Sequence, residues 1–402
     1  MKRVYLDHNA TAPLRIEVRE RWLAALDELG PGGNPSSLHA SGRRARHLLD
    51  EARERTAAAL GVDEDEVVFT SGGTESNNLA LLGTLRRVAR NEGPSAAGLV
   101  VTAVEHSSVL GPARQLEREG HPLSIAPVDA RGMPHVSGLA ALCLRPECRL
   151  VSMMAANNEV GTRLPLEELG RELSRAGPRR PRFHSDGAQA LGRVALHLKE
   201  WGVDLASFSA HKLGGPPGVG VLFRRAGVAL EPLMHGGEQE GGLRPGTESV
   251  AAIVAASHAI ELAVAERAAF AQRSTELARA LWRELHAAVP RARLLGPPLD
   301  DEDAARLPGT LNVLLPDVDG KVLVTRLDLE GLEVSAGSAC ASGSNEPSHV
   351  LVALGLGERE ARAGLRISIG RATQWTDVRQ AVDSLRRTLA ATDARLSPSK
   401  GS

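Results

Sequence analysis

Short apolar runs alternate with longer stretches of helical pattern over the first two thirds of the chain. The runs at residues 67–70, 99–104, 150–156, 205–209 and 219–223 are mostly Val, Leu, Ala, Met and Phe, and 182–186, Arg-Phe-His-Ser-Asp, is read as a further strand of the same series. Alternation of that kind predicts a largely parallel sheet with helices on both faces. Residues 16–28 and 41–60 predict helices, the second with Ser41 as N-cap, an Ala/Leu face and Gly61 as its stop. A long helical stretch is expected from Thr247 to about Ala288, ended by Pro290. Three further strands are expected at 310–315, 332–335 and 365–369, with helical stretches around them and a last helix from Asp377 to about Ala391. The expected organisation is a large α/β domain over residues 13–255. A smaller α/β domain is expected from residues 1–12 and 256–395, with a flexible tail at 396–402. No internal repeat or low-complexity block interrupts this pattern.

Composition narrows the class. The 402 residues are 42% apolar, yet include only five Phe, four Trp and one Tyr, so Leu, Val and Ala must fill the core. A formal charge of −1 supplies no basic field for nucleic acid or an anionic membrane. The first residues show no apolar stretch of signal-peptide length. The alanine-rich segment from Ser249 to Ala265 contains His258 and Glu261, and reads as a packed helix and not a membrane span. Three cysteines, Cys143, Cys148 and Cys340, form no disulfide framework. A cytoplasmic protein with reduced thiols is the expectation.

Basic residues are almost all Arg, and the only lysines are Lys2, Lys199, Lys212, Lys321 and Lys400. A guanidinium cannot form a Schiff base, so a retained lysine marks a place where an amine is required, or simply a leftover surface residue. Its neighbours decide. Lys212 lies in Ser207-Phe-Ser209-Ala-His211-Lys212-Leu-Gly-Gly, where a strand runs into a Gly/Pro turn. Ligands of open α/β sheets bind beyond the carboxyl ends of strands, which is where this lysine falls.

Other signals recur at strand ends. In His184-Ser-Asp186-Gly-Ala-Gln189, Asp186 either faces the same edge or caps the next helix. Thr70-Ser-Gly-Gly73-Thr74 runs from a strand into a helix, leaving backbone N–H groups for a phosphate or serving as a plain turn. It has neither the P-loop ending nor the dinucleotide glycine spacing. His106 follows a strand in Glu105-His106-Ser-Ser and could stack on an aromatic ring. Cys143 and Cys148 read as packing residues, and no histidine set has metal-ligand spacing. Cys340 differs from them: it sits among Gly, Ser and Ala from Ser335 to Pro347, a poor setting for burial and a good one for an accessible thiol.

Five such signals in this order resemble the cysteine desulfurase family, fold-type I pyridoxal-phosphate (PLP) enzymes of the class V aminotransferase superfamily. The resemblance spans nearly the whole chain, through Val4-Tyr-Leu-Asp-His-Asn-Ala-Thr11, Gly33-Asn-Pro-Ser-Ser37, Asn157-Asn-Glu-Val-Gly161, Arg244-Pro-Gly-Thr247-Glu and Arg366-Ile-Ser-Ile-Gly-Arg371. It implies a mostly parallel seven-stranded sheet and PLP as cofactor. By the resemblance, Lys212 anchors the cofactor and His106 stacks on its ring. Asp186 and Gln189 meet the ring nitrogen and phenolic oxygen. Gly73, Thr74, Ser209 and His211 hold the phosphate, with Thr247 reaching in from a second subunit of a homodimer. Asn158, also at the cofactor, and Arg366 grip the substrate carboxylate. Cys340 is the persulfide-forming nucleophile.

The implied reaction converts L-cysteine to L-alanine and passes sulfur to Cys340, for delivery to an acceptor such as an iron–sulfur scaffold. Cys340 would then touch iron–sulfur only in passing, with no intrinsic metal site. A free thiol is only a few per cent ionised at neutral pH, so His106 or the cofactor is expected to assist Cys340. Selenocysteine lyase and a silent scaffold of the same fold are the alternatives. Gly214 departs from the family, which often has an aromatic there, and Gly177–Pro181 is slightly extended.

Overall fold

A computed structural model describes residues 3–300, 305–337 and 346–396, with side chains described through residue 390. The expected reactive loop around Cys340 and the expected tail beyond Leu396 lie outside the described residues.

Twelve strands are present among them: β1 (Val4–Tyr5), β2 (Val67–Thr70), β3 (Gly98–Thr102), β4 (Leu123–Ala126), β5 (Cys148–Ser152), β6 (Arg182–Asp186), β7 (Leu205–Ser209), β8 (Gly220–Arg224), β9 (Arg293–Leu295), β10 (Thr310–Leu314), β11 (Leu332–Glu333) and β12 (Gly364–Ser368). Seven of them form one sheet in the order β2-β8-β7-β6-β5-β3-β4. Every pairing in it is parallel except the two made by β8. Alternate residues divide between two apolar layers. Phe69, Val100, Val151 and Phe208 pack on one face, and Val68, Leu99, Leu150 and Leu205 pack on the other. Both faces are covered, which is why these strands read as unbroken apolar runs.

A separate apolar cluster surrounds the antiparallel sheet β12-β10-β9 and the parallel pair β1-β11. The helix Trp375–Leu396 and the helix Arg267–Ala288 contribute Val378, Leu385, Leu277 and Leu281 to it. The N-terminal strand β1 crosses to this cluster by pairing with β11. Residues 6–8 stay paired with Glu333 and Ser368, and Ala12 N and Arg15 N then donate to the His211 and Gly214 carbonyls after β7.

Three expectations change. The helical stretch after Thr247 is two helices, Val250–Ala265 and Arg267–Ala288, separated at Glu266. The helix Ala40–Leu60 is capped by His39, whose ring nitrogen accepts from Gly42 N at 3.2 Å, and not by Ser41. Its end is as expected: Gly61 adopts φ +67 and returns its N–H to Ala57 and Ala58. The strands β1, β4 and β9 lie where no strand was expected.

Candidate active site

The carboxyl ends of β2, β3, β5, β6 and β7 open onto one cavity of about 460 Å³. Its lining brings together Gly73, Thr74, His106, Asn158, Asp186, Gln189, Ser209, His211, Lys212 and Arg366. These residues come from six separate stretches of sequence, so their convergence is a property of the fold. Thr247 is exposed and is not among the residues lining this cavity. Cys340 lies outside the described residues.

Lys212 sits in a single 3-10 turn, Ala210–Leu213, immediately after β7. Gly214 ends the turn at φ +80, a left-handed conformation open to glycine. A Cβ there would lie 2.6 Å from Arg15 Cγ. Arg15 packs over the position at which an aromatic was expected, which accounts for the glycine. The Lys212 amine donates to the carbonyls of Asn9 at 2.6 Å and Ala10 at 2.7 Å. Beside it, His211 Nδ1 lies 3.0 Å from Thr11 Oγ1. Burial, then the adjacent Lys212 charge, pushes His211 down to about 4.

Asp186 ends β6 with both carboxylate oxygens occupied. Asn77 Nδ2 donates to Oδ2 at 2.8 Å and Ala188 N to Oδ1 at 3.0 Å. Gln189 points its Nε2 at the Asn9 carbonyl, 2.9 Å away, and leaves Oε1 buried without a partner. Its donor therefore meets the N-terminal segment. The helix Gly73–Glu92 begins at the cavity wall with no side-chain cap on its first turn. Uncapped N–H groups at a helix start, flanked by Ser209 and His211, make an anion cradle. An anion cradle, a carboxylate and an amine thus share one pocket, and these residues fit PLP.

Arg366 is in β12 and also lines the cavity. Its Nη2 pairs with Asp7 Oδ1 at 2.7 Å and its Nη1 donates to Asn158 O at 3.3 Å. The Asn158 carbonyl also accepts from Asn9 Nδ2 at 3.0 Å. Both described flanks of the Cys340 segment are hydrogen-bonded to lining residues or to their chain neighbours. Ser335 and Arg366 exchange backbone hydrogen bonds, N to O at 3.1 and 2.7 Å. Ser348 Oγ donates to Glu159 at 2.5 Å, and His349 Nε2 to Glu105 O at 2.9 Å.

Sequence reasoning assigned no role to Asp7, Asn9, Ala10, Asn77 or Ser108. The first three lie in the quoted segment from Val4 to Thr11, and the others beside Thr74 and His106. Position within those motifs was the available signal. Among the described residues no helix is long and apolar enough to cross a membrane, and Cys143 and Cys148 are buried.

The chain matches the family described as Aminotransferase class-V over residues 4–381. It is 42% identical over 388 residues to the cysteine desulfurase IscS of Dictyoglomus turgidum, covering 96% of this chain and 95% of that one. Among solved structures it resembles a NifS-like protein, with a TM-score of 0.87, 35% identity and coverage of 97% of this chain and 100% of that one. It also resembles SspA in complex with cysteine, with a TM-score of 0.75, 32% identity and coverage of 91% and 98%. Fold, cavity and relatives agree: the chain belongs to the cysteine desulfurases, pyridoxal-phosphate-dependent members of the class-V aminotransferase family.

Proposed function

We propose that this cysteine desulfurase works through Lys212 as cofactor anchor, Arg366 as substrate grip and Cys340 as sulfur acceptor, and that it acts as a homodimer. The observation that carries the reading is the convergence of Lys212, Asp186, His106 and Arg366 on one cavity at the strand ends. The uncapped start of the helix Gly73–Glu92, with Ser209 and His211, would hold the phosphate. Asp186 would meet the ring nitrogen, and His106 the ring face. Bound PLP supplies an electron sink for charge left on carbon as the C–S bond weakens.

The protein's own residues supply the rest. Arg366 orients the cysteine carboxylate with a two-pronged contact and thereby aims the Cα–H bond. The Lys212 Nζ would hold the cofactor at rest and would carry the Cα proton during turnover. Cys340 Sγ, as thiolate, forms an S–S bond to the substrate sulfur while the Cβ–S bond breaks. Cβ receives a proton, so alanine leaves and Cys340 keeps a persulfide. The hydrogen bonds of Ser335 to Arg366, of Ser348 to Glu159 and of His349 to Glu105 support this role, because each partner is a lining residue or the chain neighbour of one.

Thr247 is exposed, consistent with service at a second copy's phosphate site. The persulfide would pass to a cytoplasmic acceptor such as an iron–sulfur scaffold. The test measures alanine and sulfide from cysteine with reductant present, for wild type, Lys212→Ala and Cys340→Ala. Loss of both products in Lys212→Ala, and of sulfide release in Cys340→Ala with the cofactor retained, supports the assignment. Full sulfide release from cysteine by Cys340→Ala rejects it in favour of a lyase without a cysteine nucleophile.

A further inference from the structure

His106 caps the helix Ser107–Arg118 with its own ring: Nδ1 accepts from Ser108 N at 3.1 Å. The same Nδ1 lies 2.7 Å from Ser108 Oγ. That hydroxyl in turn lies 2.8 Å from Asn77 Nδ2, which also donates to Asp186 Oδ2 at 2.8 Å. Asn77, Ser108 and Asp186 are all buried.

The hydrogens in this chain have one consistent arrangement. An ionised Asp186 only accepts, so the Asn77 amide must present its N–H₂ group, one hydrogen to Asp186 and one to Ser108 Oγ. Reversing the amide would set its oxygen against the carboxylate. Ser108 Oγ, having accepted from Asn77, has one hydrogen left, and the acceptor within reach is His106 Nδ1. The Ser108 backbone N–H donates to that nitrogen as well. Nδ1 therefore receives two donors and has no room for a hydrogen of its own.

We propose that Asn77 and Ser108 are positioning residues that hold His106 as the neutral Nε2–H tautomer, so that the ring enters the reaction as a hydrogen-bond donor and not as a base. To accept a proton, the ring would have to take it on Nδ1, facing a backbone N–H that cannot turn away. The expected assistance to Cys340 by His106 acting as a base is thereby reassigned: the imidazole gives a hydrogen bond from Nε2 and takes no proton from the thiol. The inference rests on the active-site reading above for its chemical meaning, while the tautomer itself does not depend on turnover.

The experiment is a long-range ¹H–¹⁵N correlation spectrum of the PLP-loaded holoenzyme carrying ¹⁵N-labelled histidine, with the His106 signal identified by its loss in His106→Gln. The expected result is an Nδ1 shift in the unprotonated range and an Nε2 shift in the protonated range at neutral pH. Ser108→Ala, which keeps the backbone donor and loses the hydroxyl, moves the tautomer ratio about fivefold toward Nδ1–H, the worth of one hydrogen bond. Ser108→Thr restores the wild-type shifts. Steady-state kinetics should show kcat reduced in Ser108→Ala with KM for cysteine unchanged. A protonated Nδ1 in the wild type, or unchanged shifts in Ser108→Ala, overturns the proposal. The wild-type spectrum decides even if the variant does not fold, and it leaves the desulfurase assignment to its own assay.

Discussion

Arg366 and Asp7 form an ion pair across the chain, Nη2 to Oδ1 at 2.7 Å, with the arginine side chain 1% and the aspartate 19% exposed. The cation proposed to grip the substrate is therefore held by a carboxylate from the N-terminal segment, and its Nε is buried without a partner.

Removing Asp7 strands a buried guanidinium. Asp7→Ala is expected to cost about 2–3 kcal/mol of stability, somewhat below the range for fully enclosed pairs because the aspartate is partly exposed. Urea unfolding of Asp7→Ala, Arg366→Ala and the double variant tests this. The two losses should fall short of additivity, by at least about 1 kcal/mol.

Lys212 and Lys199 make a paired prediction. Lys199 is a surface residue that bridges Asp63 at 2.6 Å and Glu66 at 2.7 Å. Lys199→Ala is expected to leave cysteine turnover within about twofold of wild type. Lys212→Ala should lose turnover by at least about a thousandfold and lose its near-visible absorbance on gel filtration. Turnover and absorbance spectra of the two variants check both halves.

Two buried groups give stability opposite pH dependences. Burial pushes the Glu105 carboxyl from 4.5 up to about 8. Its folded value exceeds its unfolded one, so its contribution is complete below about 4.5 and is lost as pH rises through about 8. Burial pushes His184 from 6.5 down to about 4, between Ser152 Oγ and Ser207 Oγ. Its contribution is complete above about 6.5 and is lost as pH falls through about 4. Unfolding midpoints measured from pH 4 to 9 should therefore flatten on the alkaline side in Glu105→Gln and on the acid side in His184→Gln.

Thr247 is expected to act in the partner's site. Thr247→Ala should weaken PLP retention by about five- to tenfold, the worth of one phosphate hydrogen bond. Mixing it with Lys212→Ala subunits should restore one complete site per mixed dimer. Turnover of the mixture above the sum of the two parents checks the prediction; a merely additive result counts against a shared site.

Much of this was readable because strands buried on both faces leave mostly apolar runs: β2 lies at the boundaries expected, as do β6 and β7, although β6, Arg-Phe-His-Ser-Asp, has a single apolar residue. The edge strand β4, Leu123-Ser-Ile-Ala126, is half exposed and carries no such signature. The strands β1 and β11 are two residues each and exist through their pairing across more than three hundred residues. The break at Glu266 interrupts a pattern that is helical on both sides. Site residues at strand ends were recognisable from local motifs. Asn9 was not given a role because its meaning is non-local: its carbonyl meets Lys212 Nζ from 203 positions away. The roles of Asn77 and Ser108 likewise depend on Asp186 and His106 arriving beside them.

The central claim is that sulfur leaves cysteine by capture on one thiol. Mass spectrometry of the holoenzyme after one exposure to cysteine without reductant, followed by peptide mapping, tests it most directly. The account predicts a peptide containing Cys340 that is heavier by one sulfur atom and reverts on reduction, with one alanine released per adduct. Alanine release with the added sulfur on Cys143 or Cys148, or with no protein-bound sulfur at all, would contradict it.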